Sequence, residues 1–188
     1  DRGIEHYDTL KTIQDLSKRK NVVLLEGNHE SHWIRYAHGE EGEDLGYKRF
    51  VETTLKDWLL HCDNESDLKK ELRILYRKLH SCYFFKCGNI RYMVTHAGLT
   101  KFPENALVLS STQCIKGVGG YDFEVSLEYT RQQRSGTEVQ VFGHRGVSSS
   151  NGFSYSLEGK VEFGGYLKVL AIDKDGQSVV KYKNDVYN

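Results

Sequence analysis

Glu26-Gly27-Asn28-His29-Glu30 places an amide and an imidazole just after the apolar run Val22-Val23-Leu24-Leu25. Twice more an apolar run ends in an imidazole close to glycine. Ile90 to Val94 leads into Thr95-His96-Ala97-Gly98, and Val139 to Phe142 leads into Gly143-His144-Arg145-Gly146. Asn28 offers a carbonyl oxygen suited to a hard cation, and each imidazole can ligate a metal or move a proton. For a single Gly-Asn-His the plain alternative is a polar loop with a capped helix behind it. Three such strand ends point to a shared purpose, and metal binding is the chemistry that fits. Asn28, His96 and His144 form an O,N,N set that suits Mn, Fe or Zn better than calcium or a thiolate site. His29 is read as an acid beside the ion, because adjacent residues rarely both face one cation. His6, His32, His38, His61 and His80 lack this setting and are expected on the surface or on helices.

The elements that would position these residues follow from periodicity. Asp8 or Thr9 can cap a helix with Leu10, Ile13 and Leu16 on one face, ending near Lys18-Arg19-Lys20. The strand Val22 to Glu26 comes next, continuous enough in apolar residues to be a buried parallel strand. Helix, strand and polar loop make the second half of a βαβ unit, whose first strand is expected before Asp1. Ligands of open α/β sheets gather beyond the carboxyl ends of strands, where Asn28 and His29 fall. Trp33, Ile34 and Ala37 mark a short helix, and the acidic run from Gly39 to Asp44 reads as a solvated loop. Tyr47 to His61 and Asp67 to His80 show helical spacing, so residues 31–80 are read as a helical insertion, packed into the core or capping the site.

From Cys82 the period shortens to that of strands, with a tight turn at Cys87-Gly88-Asn89 between Tyr83-Phe84-Phe85 and Ile90 to Val94. Residues 100–122, with the sole proline at Pro103, are expected to form a long irregular surface loop. A helix carrying Val125, Leu127 and Tyr129 precedes the third strand. Ser154 to Lys183 reads as a β meander completing a second sheet.

The 188 residues fit one compact domain with a sizeable core. Acidic and basic residues balance at 26 each, so no global charge footprint favours nucleic acid or membrane surfaces, although a local basic groove stays open. Cys62, Cys82, Cys87 and Cys114 share no CxxC spacing and are expected as reduced thiols. With no signal peptide and no apolar run of transmembrane length, the expectation is a soluble, cytoplasmic protein without membrane contact.

On four motifs taken in order, the chain resembles the calcineurin-like metallophosphoesterases. Its likeness is to the branch holding Ser/Thr protein phosphatases and the phosphatase domain of bacterial and phage polynucleotide kinase-phosphatases. Asp1-Arg2-Gly3 is similar to the end of that family's GDxxDRG motif. Gly27-Asn28-His29-Glu30 is its GNHE, Thr95 to Gly98 resembles its HxG-type loop, and Gly143-His144 its final GH. The resemblance covers nearly the whole chain. It implies an α/β (α+β) fold, a two-layer β-sandwich flanked by helices. It also implies that Asn28, His96 and His144 bind one ion of a dinuclear pair, that Arg2 binds phosphoryl oxygens, and that His29 protonates the leaving oxygen with Asp1 orienting it. The ions would be two divalent metals, manganese first, with iron, zinc or nickel as alternatives. Attack would come from a metal-bridging hydroxide in line on phosphorus. Ser156 to Gly165 resembles the closing hairpin of the kinase-phosphatase and RNA-ligase-associated branch, which makes RNA or DNA ends (phosphomonoester or 2′,3′-cyclic phosphate) the expected substrate. Phosphoproteins and dinucleotide polyphosphates are the rival substrates, and a kinase or ligase domain is a possible attachment.

One departure is plain. The family's DxH motif, and the GD of its second motif, would lie before Asp1, and they carry the second ion's ligands and the bridging Asp. No other D-x-H occurs in the chain. Residues 1–188 alone are therefore expected to be inactive, as the N-terminally incomplete part of an enzyme. A catalytically silent binding module is the alternative from another class.

Overall fold

The computed structural model describes residues 2–133, 135–146 and 149–184. The chain divides into two compact units, Asp1–His80 and Ser81–Asn188. Helices and several short sheets give a mixed α/β protein.

In the first unit, α1 (His6–Leu16) leads to β1 (Leu24–Leu25), then α2 (Glu30–His38) and α3 (Leu45–Phe50). A π-helical turn, Val51–Leu55, joins α3 to α4 (Lys56–His61), and α5 (Glu65–Tyr76) and β2 (Leu79–His80) follow. The start of α1 corrects the expected cap. Neither Asp8 nor Thr9 caps it; Glu5 sits at the N-cap with no side-chain bond. The Tyr7 N–H, a donor with no partner inside the helix, instead donates to the Asp57 carboxylate on α4 at 2.8 Å. Long-range pairing has replaced the local cap. Asp44 does cap α3, accepting from the Tyr47 N–H at 2.8 Å, and Asn64 caps α5 through Ser66.

The strand expected over Val22 to Glu26 is shorter than its apolar run, because the Val22 N–H turns back to the Arg19 carbonyl. Leu24 and Leu25 pair in parallel with Leu79 and His80, and the Glu26 N–H adds a bond to the His80 carbonyl at 2.9 Å. That pairing takes Leu79 and His80 out of the helix expected through His80; α5 stops at Tyr76. The strand is also only half-buried, against the expectation of a buried one. The helices close over one core in which Phe50, Trp58, Leu68, Leu72 and Leu75 are buried, with Leu72 fully so.

The second unit is built on a four-stranded sheet of β3 (Cys82–Cys87), β4 (Ile90–Thr95), β5 (Glu138–Phe142) and β6 (Ser154–Ser156), in that spatial order. The β3–β4 hairpin is antiparallel and turns at Gly88, whose φ of 57° suits a tight turn. Strands β4, β5 and β6 run parallel. Two further strands, β7 (Tyr166–Asp173) and β8 (Gly176–Lys183), form a separate antiparallel hairpin.

Three expectations change here. Ser154 to Lys183 is not one meander, because Ser154–Ser156 joins the first sheet. Ser154 is fully buried there, its hydroxyl donating to Ser126 at 2.9 Å and accepting from the Gln140 amide at 3.0 Å. Segment 156–165 is not a hairpin. It holds the 3-10 turn Val161–Phe163 and passes close to the start of β7 at Gly159, where a Cβ would lie 1.9 Å from the Tyr166 carbonyl oxygen. Residues 100–122 are not all irregular: the 3-10 turn Ala106–Val108 and α6 (Ser111–Lys116) form, the latter because Cys114 is drawn into the core.

The alternation of side chains along β4 explains the two cores of this unit. Met93 packs with Leu99, Cys114 and Tyr129, the last on α7 (Val125–Arg131). Neighbouring Tyr92 faces the other way, packing with Val139 and Val141, and Leu170 and Ile172 of the β7–β8 hairpin lie against that cluster. Leu127, on the same helix, is 47% exposed.

Candidate functional site

In the first unit, the chain leaves β1 through Gly27 and Asn28 and starts α2 with His29 at its N-cap. The Glu30 carboxylate accepts from the Gly27 N–H at 2.6 Å, and the Ser31 hydroxyl donates to the Asn28 carbonyl at 2.8 Å. Glu26 is tied down in turn, accepting from the Tyr76 hydroxyl at 2.6 Å. The two glutamates flanking Asn28-His29 thus fix the loop. Asn28 and His29 are both half-buried.

The His29 ring meets the His32 ring edge-on, with centroids 5.6 Å apart. Burial pushes the His29 pKa below its ordinary value, and the positive charge of Arg2 pushes the same way, so the resting imidazole is neutral. Arg2 is exposed, and within this unit it stands close enough to act on His29 electrostatically. Asp1, the expected orienting partner, lies outside the described residues. His29 also lines a cavity of about 330 Å³, walled mainly by apolar and aromatic side chains including Leu24, Trp33, Phe50 and Trp58.

His32 lies on a helix, as expected, and its ring is also packed. It sits on α2, half-buried, stacked at 25° on Phe50 with centroids 6.4 Å apart. Burial lowers its pKa, with Asp44 opposing. Gly46 lies so close that a Cβ there would come within 2.8 Å of the imidazole. His6 is likewise half-buried, its ring 3.3 Å from the Thr54 hydroxyl while its carbonyl accepts from the Trp58 indole at 3.0 Å.

The second unit brings His96 and His144 together. Each follows the carboxyl end of a strand, β4 and β5, which pair in parallel. Their ring centroids are 4.7 Å apart with the planes tilted by 39°. A backbone bond links the two loops, from the Gly143 N–H to the His96 carbonyl at 2.9 Å. The loop after His96 is held by Ala97 N–H to the Cys114 carbonyl at 3.0 Å, Gly98 N–H to the Thr95 hydroxyl at 3.0 Å, and Leu99 N–H to the Gln140 side chain at 2.9 Å. Gly98 must be glycine, having a φ of 73° with the Phe142 ring where a Cβ would point.

His144 itself has a φ of 59°, a left-handed conformation uncommon for a side chain of its size. The Tyr121 ring meets it edge-on at 5.7 Å. Arg145 follows, 1% exposed, with its guanidinium donating to the carbonyls of Ala97, Gly120 and Val118 at 2.7, 2.8 and 3.0 Å. Sequence reasoning passed over Arg145, since an arginine between His144 and Gly146 has no local mark distinguishing it from an exposed one.

Two imidazoles at this spacing suit a shared borderline cation. As donors they are neutral, and among the described residues no group of three or more His, Cys, Asp or Glu side chains is gathered so as to hold a metal ion. Among the described residues, no helix is long and apolar enough to cross a membrane. No protein-family model matches the chain, and no curated protein matches it.

Proposed function

We propose that the chain carries the site of a metal-dependent phosphoesterase of the calcineurin-like kind, acting on nucleic-acid ends. The observation that carries this reading is the His96–His144 pair, set side by side after two parallel strands by residues far apart in sequence. The packing of the β7–β8 hairpin on one face of the four-stranded sheet is what a two-layer β-sandwich requires, and it supports the fold the resemblance implies.

In this reading His96 and His144 hold a divalent ion, and Asn28 keeps the ligand role implied for it. Such an ion supplies Lewis-acid stabilisation of phosphoryl oxygens and an acidified water. Arg2 offers a planar fork of donors to a phosphoryl group. His29 donates a proton to the leaving oxygen. It rests neutral, but the negative charge of a phosphoryl group beside it raises its pKa and loads it for that step. The cysteines have no nucleophilic part.

The neutral donor set favours a second reading, a silent binding module, because no carboxylate is gathered with two histidines among the described residues. An assay of the full-length polypeptide with added Mn²⁺ separates the two, comparing 2′,3′-cyclic phosphate RNA ends with phosphoserine peptides. Turnover of RNA ends that disappears in His96→Ala is the expected result. Preference for the phosphopeptide would move the substrate to phosphoproteins, and turnover unchanged in His96→Ala would sink the metal reading.

A further inference from the structure

We infer that Arg145 is a positioning residue for the His96–His144 pair, a buried guanidinium that latches three segments into one shelf and so sets the spacing of the two imidazoles. This inference rests on the metal reading of that pair for its purpose, and on geometry for its substance.

Arg145 is 1% exposed, and its guanidinium donates to three backbone carbonyls. Burying a guanidinium this deeply is costly, and burial lowers its pKa. Packing alone could be met by a leucine or methionine, whereas a planar fork with several fixed donors can bind three diverging carbonyls at once. The three carbonyls lie where they matter. Ala97 follows His96 directly, so the Nε–H bond at 2.7 Å pins the first imidazole's segment to the second's. Val118 and Gly120 belong to the segment that carries Tyr121, whose ring edge abuts His144. The Gly146 N–H adds a bond to the Tyr121 carbonyl at 3.1 Å, so the chain on the far side of Arg145 is tied to the same segment.

The environment is shaped to the guanidinium. At Gly117 a Cβ would come within 2.1 Å of an Arg145 terminal nitrogen, so that glycine leaves the room the side chain occupies. His144 meanwhile holds a left-handed backbone, a conformation that persists only when its surroundings over-determine it. On one side stands the Gly143-to-His96 backbone bond; on the other is the Arg145 fork. The fork thus adds a side-chain tie to the single backbone bond that joins the His96 and His144 loops directly, and its loss is expected to let the rings part.

The test is Arg145→Lys, which keeps the charge and loses the fork, with Arg145→Met as the harsher variant and Leu170→Ala as a control that loosens the same unit from the opposite sheet face. Zn²⁺ alone is titrated calorimetrically at a temperature where every variant is folded, and ring-to-ring NOEs between His96 and His144 are recorded without metal. Arg145→Lys is expected to weaken Zn²⁺ binding by about tenfold, the scale for losing a group that orients a ligand. It should also diminish the ring-to-ring NOEs, while Leu170→Ala leaves both near wild type despite lower thermal stability. Folded Arg145→Lys protein with undiminished NOEs overturns the inference. So does loss of affinity that merely tracks stability across Leu170→Ala. If His96→Ala binds Zn²⁺ like wild type, the metal reading fails instead, and the NOEs still decide the role of Arg145.

Discussion

His29 and the His96–His144 pair are held in contrasting ways. His29 owes its place to helix chemistry: an N-cap position, flanking glutamates that bond the loop, and aromatic neighbours contributed by α2, α3 and α4. Its setting is half-buried and apolar, and it shifts the imidazole toward neutrality. The pair in the second unit is held by sheet register and by backbone carbonyls gathered on one buried cation. Burial shifts a protonation equilibrium in the first setting, whereas paired strand ends fix a ring-to-ring distance in the second.

The largest effect that could break this division is in the second unit. His96→Ala or His144→Ala in the full-length polypeptide should abolish turnover and lower metal content, with the amide spectrum of the sheet kept. Near-normal activity with metal retained would make both histidines mere core residues. Next comes His29→Ala, expected to cost ~10²–10⁴-fold on a substrate with a poor alkoxide leaving group and little on para-nitrophenyl phosphate. Equal losses on the two substrates would remove the proton from its role.

Stability measurements sharpen the same contrast. Both tryptophans, Trp33 and Trp58, lie in the first unit, so indole fluorescence reports on that unit directly. Leu72→Ala, at a fully buried site, should destabilise it by ~2–5 kcal/mol. Gly98→Ala should destabilise the second unit by roughly 1–3 kcal/mol through backbone strain and the clash with Phe142. Hydrogen exchange at β4 amides reads it out; exchange as in wild type would show that the loop after His96 yields freely.

The smallest effect is a pH dependence confined to the first unit. His6 and His32 have folded pKa values lowered by burial from 6.5, with Asp57 and Asp44 opposing in turn. Because the unfolded chain takes up protons first, this stability is present above about pH 6.5 and lost as pH falls below it. The tryptophan-reported melting temperature should fall between pH 7 and pH 5, and His32→Phe should flatten that slope. A slope unchanged by the substitution would place the titration elsewhere.

Short-range signals in the sequence determined a good deal. The β3–β4 hairpin follows from strand alternation and a glycine turn, β5 from its apolar run, and α2 and α5 from helical periods, because each rests on contacts between neighbouring residues. Asn28 and His29 on a loop ahead of a helix, and His96 and His144 after strands, were legible for the same reason. Tertiary structure decided the rest. Leu79 left its helical period because Leu24 offered a parallel ladder, and the Ser154 strand joined β5 because Ser126 and Gln140 could satisfy its buried hydroxyl. His32 became a packed ring once α3 closed over it. Arg145 shows the limit most clearly. Whether a cation is solvated or buried depends on partners that no local pattern encodes, here the carbonyls of Ala97, Val118 and Gly120, which meet only when the chain has folded.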